Sequence, residues 1–330
     1  MTATRRGAGL GRIDVHHHAL PARYLRDRYD SRIPIEGGAG VGRRRATAAD
    51  WTPQWSLDEM DRSGTAAAVL SLPGALAGDD GRVDPGLARH SNEYLADLVR
   101  DNSDRFAMFA ALPLPDVESS LLEVDLALGT LGAAGVGLHS SYGGRWLGDP
   151  AFAPLFDELD RRAAVVFVHP TVAPRFRDAL PGVGDAFLEY PFDTTRTIVS
   201  LLIAGTLARR RRIRFIFAHF GGATASLAER IARIRSRAPS GWAEVAPDGV
   251  EAELRRLHYD TASNPSQAAL AALLELAGSS QILFGTDAPF IATAGTVDGL
   301  AEAGLASHER AAIEAGNALR LLPGLARLLG

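Results

Sequence analysis

The chain contains no cysteine and no lysine, and all 35 of its basic residues are arginine. Without cysteine there is no disulfide, no thiolate metal ligand and no cysteine nucleophile. Without lysine there is no Schiff-base catalysis, no P-loop lysine and no carbamylated lysine to bridge two metals. Any metal site must therefore be built from histidine and carboxylate. Long hydrophobic runs are missing too: no apolar stretch approaches the roughly 20 residues that cross a bilayer. The opening MTATRRGAGLGR lacks the apolar core of a signal peptide, so a cytoplasmic protein without a membrane partner is expected. Nor is there an excess of positive charge. The formal net charge is -4, and the basic runs GRRRA (42–46) and ARRRRIR (208–214) are short and isolated, which argues against a nucleic-acid partner.

What is present is an ordinary globular composition: 330 residues, 46% hydrophobic, with no internal repeat and no Pro/Ser linker. One domain spanning 1–330 is expected, with 1–10 as a flexible tail. Short β-branched or aromatic runs predict strands at 11–17, 66–72, 105–112, 135–139, 164–170, 213–220, 257–262 and 281–289. Between them, 3.6-residue periodicity predicts helices near 56–63, 88–101, 117–132, 150–162, 193–210, 222–237 and 266–277, then 296–303 and 307–322. Ser56, Asp149-Pro150 and Pro265-Ser266 supply start signals. Eight strands alternating with helices at this length predict an α/β fold, a single-domain (β/α)8 TIM barrel. A doubly wound sheet would carry a glycine-rich nucleotide turn after strand one; here that strand ends in histidines. The Gly- and Arg-rich stretch 22–54 exceeds a normal βα loop and is either a lid over the site or a loosely ordered insertion.

Five of the nine histidines fall at predicted strand ends: His16 and His18, His139, His169 and His219, with Asp287 at the end of strand eight. A barrel of this kind gathers its active site at those ends. Side chains alternate along a strand, so His16 and His18 share a face and His17 takes the other. With His169 and Asp287 they form a three-nitrogen, one-oxygen set suited to Zn²⁺, with Mn²⁺ as the alternative. A single strand-end histidine is as well explained by a hydrogen bond to loop backbone; four donors together point to a metal. His219, followed by Gly221 and Gly222, is a candidate acid/base beside the metal, or else a further ligand or structural partner. His139 is either substrate-facing or part of the core. His90, His258 and His308 need no function.

The segments IDVHHHALPARYL, LHS, VHP, FIFAHFGG, YDTA and ILFGTDAPF occur in an order that resembles the amidohydrolase-related decarboxylases. This is the family of aminocarboxymuconate-semialdehyde, 6-methylsalicylate and γ-resorcylate decarboxylases. The connecting segments NEYLADLVRDNSDRFAMFAALPLPD, GDPAFAPLFDELDRR and EYPFDTTRTIVSLLIAGTL extend the resemblance from about Gly11 to Leu322. It implies a mononuclear amidohydrolase-superfamily barrel with His16, His18, His169 and Asp287 as ligands of one divalent metal and His219 as the catalytic histidine. His16 stands where some γ-resorcylate-type members have Glu, which leans toward the other two branches.

The resemblance implies a carboxy-lyase: metal-dependent, non-oxidative decarboxylation of a small aromatic or unsaturated carboxylic acid, an ortho-hydroxybenzoate such as a salicylate derivative. Asp287, or a water activated by the metal and His219, would protonate the ring carbon. The same metal and histidine could instead serve a hydrolase acting on a lactone, amide or cyclic ester; a barrel that has lost catalysis is the third reading. Candidate substrate contacts are His139, Tyr24, Trp51, Trp55, Arg145, Trp146, Phe192 and Phe290, with core packing the competing role for the aromatics. Arg43, Arg44 and Arg45 could meet an anionic substrate or form a solvated charge run. The apolar NALRLLPGLARLLG (317–330) is either a homodimer surface or a cap on the barrel.

Overall fold

Strands buried on both faces must be apolar along their whole length rather than alternating. The run Phe106–Ala111 is entirely buried, and Val165–His169 is too. In the computed structural model, which describes residues 11–36, 46–78, 81–233, 242–263 and 265–329, eight such runs form one parallel sheet. The strands are β1 (Arg12–His18), β2 (Thr65–Ser71), β3 (Phe106–Ala111), β4 (Gly135–His139), β5 (Val165–His169), β6 (Arg214–Phe217), β7 (His258–Asp260) and β8 (Ile282–Leu283). Each pairs with the next in sequence. The ring closes where β1 meets the segment after β8: Val15 N donates to Phe284 O (3.0 Å), Asp287 N to His16 O (2.9 Å) and His18 N to Ala288 O (2.7 Å). The fold is the expected (β/α)8 barrel.

The barrel is filled, not hollow. Ile13, Val15, Val69, Phe109, Phe167, Ile216 and Leu283 pack inside it, and Leu321, Leu322, Leu325 and Leu328 join the same cluster. The C-terminal apolar stretch thus caps the barrel instead of offering these leucines to a partner. A second cluster joins the outer strand faces to the helices, with Leu155, Phe156, Leu201, Leu254 and Leu273 among its members. Among the described residues no helix is long and apolar enough to cross a membrane.

Helix starts follow local capping chemistry. Asp84, Asp116 and Ser266 accept backbone N–H groups of Gly86, Ser119 and Ala269, starting the helices Pro85–Asp101, Val117–Gly129 and Gln267–Ala277. Thr52, not Ser56, caps the helix Pro53–Ser63, with Pro53 in its first turn and Gly64 at φ 69° ending it. The helix expected at 193–210 begins earlier and ends earlier, at Asp185–Ile203, with Pro191 inside it. Proline lacks an N–H to donate to Phe187 four residues back, and Phe187 is 84% exposed, so water can replace the missing partner. Gly205, at φ 67°, then separates it from the short helix Thr206–Arg209.

The 22–54 stretch is not all loop: it contains the helix Ala22–Arg28 and a 3₁₀ turn at Ala48–Asp50. Arg43, Arg44 and Arg45, like the 1–10 tail, lie outside the described residues. The 222–237 helix is described as Thr224–Ala232. The last expected helix is broken into Ser307–Ala311, a π turn at Ala312–Gly316 and Asn317–Leu321. Also new is a small hairpin, Ser141–Tyr142 with Arg145–Trp146, in the loop after β4.

Candidate active site

The strand ends bring the expected donors into one cluster. His16 Nε2 lies 3.0 Å from His18 Nε2, and Asp287 Oδ1 lies 3.3 Å from the first and 3.0 Å from the second. The His169 ring centroid is 5.1 Å from that of His16 and 4.8 Å from that of His18. Donor atoms of His16, His169, His219 and Asp287 all fall within 4.8 Å of one another. His18 belongs to the same cluster through its contacts with His16 and Asp287. Ligand atoms about 2.1 Å from one ion stand roughly 3.0–3.4 Å apart, and the His16, His18 and Asp287 atoms have that spacing.

The outer nitrogens of these rings are occupied, which leaves the inner ones free as donors to an ion. His16 Nδ1 is 2.8 Å from Asp260 Oδ2, and His169 Nδ1 donates to Pro170 O at 2.9 Å. His169 Nε2 is buried with no hydrogen-bond partner, an unsatisfied atom of the kind a bound ion would satisfy. Ser71 Oγ lies 3.2 Å from His18 Nδ1. Burial opposes charge on His16, yet Asp260 and Asp287 outweigh it and raise its pKa to about 10. Burial lowers His18 to about 4 and holds His169 well below the ordinary imidazole range. Burial also works to raise Asp287, but the neighbouring His16 charge and hydrogen bonds from three histidines prevail, keeping it well below the ordinary carboxylate range. With Asp287 kept as a carboxylate and His18 and His169 kept neutral, the donor set fits a divalent metal.

His17 faces the other way. Its Nδ1 is 3.1 Å from Asp14 Oδ2 and its Nε2 is 2.8 Å from Ser56 Oγ, which also accepts from Trp51 Nε1. Asp14 in turn accepts from Thr286 N and Oγ1, tying β1 to the segment that carries Asp287.

His219 and Asp287 are aimed by unusual backbone. Both have positive φ, at 54° and 67°, as does Phe220 at 59°; side chains adopt that region only where surrounding contacts enforce it. Gly221 and Gly222 continue the turn, and added Cβ atoms would meet the Tyr259 ring at 2.6 Å and Pro191 O at 2.0 Å. His219 N donates to Asp260 Oδ1 (2.9 Å), and His219 Nε2 is 3.2 Å from Asp287 Oδ2. One buried carboxylate, Asp260, thus orients both His16 and His219. Asp260 ends β7 within YDTA and was not among the sequence candidates.

The substrate-contact candidates separate. Phe290 is at the site, its ring centroid 5.6 Å from that of His18. His139 is level with His169 in the β4–β5 register and its ring is 6.0 Å away; its buried Nε2 has no partner, and burial lowers its pKa to about 3. Trp51 and Trp55 are instead buried among Ala19, Leu20, Met60 and Leu70. Tyr24 is fully buried with its hydroxyl on Gly74 O (3.1 Å), stacked beneath Tyr29. Arg145 lies over Phe152, Trp146 donates to Asp193, and Phe192 is 39% exposed beside Arg196. A cavity of about 550 Å³ opens over the β1, β2, β4 and β5 loops, lined by Tyr29, Pro73, Tyr142, Pro170, Val172 and Tyr190 among others. Tyr29 and Tyr190 were not among the sequence candidates.

Comparison with known proteins bears on the fold and the family. The chain is 35% identical over 297 residues to the decarboxylase yanB of Aspergillus niger, covering 85% of this chain and 78% of that protein. It is 31% identical to the 6-methylsalicylic acid decarboxylase of Penicillium expansum, covering 97% and 98%. The crystal structure of a manganese-bound 5-carboxyvanillate decarboxylase from Novosphingobium aromaticivorans superposes with a TM-score of 0.80 at 20% identity, covering 96% of this chain and 97% of that one. A family model described as amidohydrolase matches residues 13–324. With its donors at the strand ends of a (β/α)8 barrel, this chain belongs to the amidohydrolase family.

Proposed function

We propose that this protein is a non-oxidative carboxy-lyase that removes CO₂ from a small aromatic acid bearing an ortho hydroxyl, with one divalent metal held by His16, His18, His169 and Asp287. The observation that carries this reading is the convergence of those donors, with His16 and His169 anchored through their outer nitrogens. The chain's likeness to decarboxylases, among them one named for 6-methylsalicylic acid, favours lyase over hydrolase chemistry. Zinc suits three imidazoles and a carboxylate; manganese, which the 5-carboxyvanillate decarboxylase holds, suits the same donors. Metal analysis of the purified protein distinguishes them.

A bound divalent ion supplies Lewis acidity toward the substrate's carboxylate and adjacent hydroxyl. The chain's own residues do the rest. Asp260 holds the Nδ1 proton of His16, so Nε2 would be left as the nitrogen that could hold an ion, and the Pro170 carbonyl does the same for His169. In the reaction the ring-to-carboxyl bond breaks, its electron pair stays on the ring carbon, and that carbon takes a proton as CO₂ leaves. His219 would hand that proton to the carbon and regain one from water, with Asp287 Oδ2, 3.2 Å from its Nε2, orienting the imidazole. Phe290 supplies an apolar wall, which excludes water and holds the ring.

Incubating metal-loaded protein with 6-methylsalicylate, salicylate and dihydroxybenzoates, and separately with aryl lactones, tests the proposal. CO₂ and the matching phenol are expected from at least one acid. Turnover of lactones alone would replace the lyase reading with a hydrolase. A protein that retains no divalent ion and gains no activity with Zn²⁺ or Mn²⁺ would be a non-catalytic barrel.

A further inference from the structure

Tyr29 and Tyr190 line the cavity beside the donor cluster, and the mechanism above uses neither. They come from different elements. Tyr29 follows the helix Ala22–Arg28, stacks on Tyr24 at 5.5 Å and meets Phe290 at 5.9 Å. Tyr190 lies in the helix Asp185–Ile203 and sets its ring edge-on to His169 at 6.0 Å. Their rings are fixed by these contacts, but neither hydroxyl makes a hydrogen bond to the described residues. The contrast with their neighbours is informative. Tyr24 donates to Gly74 O, Tyr142 accepts from His139 N, and Tyr259 donates to Leu254 O. Tyr24 and Tyr259 in the core, and Tyr142 in the cavity wall, have their hydroxyls satisfied by backbone, as buried polar groups require; Tyr29 and Tyr190 do not.

Each phenol hydroxyl can donate to one oxygen and accept from another group. The rest of the wall combines Pro73, Ala75, Pro170 and Val172 with polar side chains, Arg26, Asp27, Arg28, Ser141, Thr171 and Arg177. A ring held at the donor cluster would meet this cavity beside His169 and Phe290, where Tyr190 and Tyr29 offer hydroxyls without a partner.

We infer that Tyr29 and Tyr190 are specificity-determining residues that bind a further oxygen substituent on the substrate ring, so that the preferred acids are salicylate-type rings carrying a second hydroxyl. The inference rests on the reading of an aromatic acid substrate, but its test needs no turnover. In 2-nitrophenol the nitro group stands where the carboxylate would, and no CO₂ can leave. Calorimetric affinities of the Mn²⁺-loaded protein for 2-nitrophenol are compared with those for its ring-hydroxylated analogues, in the wild type, Tyr29→Phe, Tyr190→Phe and the double variant. Each variant keeps the ring and its packing, and thermal melting checks that the fold is unchanged.

The wild type is expected to favour at least one hydroxylated analogue. Removing the responsible hydroxyl should weaken that analogue roughly 3- to 10-fold, the range of a neutral hydrogen bond, and weaken 2-nitrophenol less. No preference in the wild type, or a preference that survives in the double variant, overturns the inference. The CO₂ assay is decided separately, so a decarboxylase without this specificity is recognisable as such.

Discussion

Three histidines in a row do different things because a strand turns alternate side chains to opposite faces. His16 and His18 face Asp287, whereas His17 is bonded to Asp14 and Ser56 on the other side of β1. His17→Ala should retain the metal and lose roughly 1–3 kcal/mol of stability, the cost of leaving buried partners unsatisfied. His16→Ala and His18→Ala should lose the metal; equal metal content in all three variants would contradict the geometry. Asp260→Asn tests the residue the sequence reading passed over. It should weaken metal affinity by about 10–100-fold, as expected when the partner that orients a ligand is lost, and titration of the metal-free protein measures this directly. The strand-end donors were legible because alternation alone fixes their facing. Asp260 was not, because its partner His16 lies 244 positions away in the chain and only the closed ring brings them together. Tyr29 was not legible for a similar reason: nothing in the sequence of 22–28 shows which side of that helix meets the barrel.

At the scale of elements, the turn after β6 and the helix Asp185–Ile203 act as one unit. Thr195 Oγ1 donates to Pro191 O at 2.8 Å and accepts from Ala223 N at 2.9 Å, clamping the helix to the glycine turn that aims His219. Gly222 packs against that same carbonyl at φ 64°. Gly222→Ala should therefore destabilise the protein, by roughly 1–3 kcal/mol from the backbone conformation alone, with the clash adding to it. Thermal melting and the metal content of the surviving fold measure the effect. An alanine variant that melts with the wild type would show that the turn tolerates a side chain and that His219 is not placed by this contact. Helix boundaries around this unit were the least legible part of the sequence. Pro191 reads as a breaker, yet it lies inside the helix, on a turn where Phe187 is exposed to water.

Across the whole molecule, the eight strands were readable as apolar runs, and their alternation with helices was enough to infer a barrel. The closure was not readable, since it depends on backbone bonds between β1 and residues 284–288. Those same bonds place His16, His18 and Asp287 side by side, so metal binding and ring closure should be coupled. Chelation is expected to lower Tm, and added Zn²⁺ or Mn²⁺ to restore it. Free ion at about 1,000 times its Kd contributes roughly 4 kcal/mol of stability. An unchanged Tm together with no bound ion would remove the metal site from the account. The central claim is that this barrel breaks a ring-to-carboxyl bond and returns a proton to the ring, and turnover in D₂O tests it most directly. Metal-loaded protein given a hydroxylated salicylate in D₂O should release CO₂ and yield a phenol carrying deuterium at the carbon that held the carboxylate, and His219→Ala should abolish both. Recovery of the acid unchanged across the salicylate series, with aryl lactones opened under the same conditions, would contradict it.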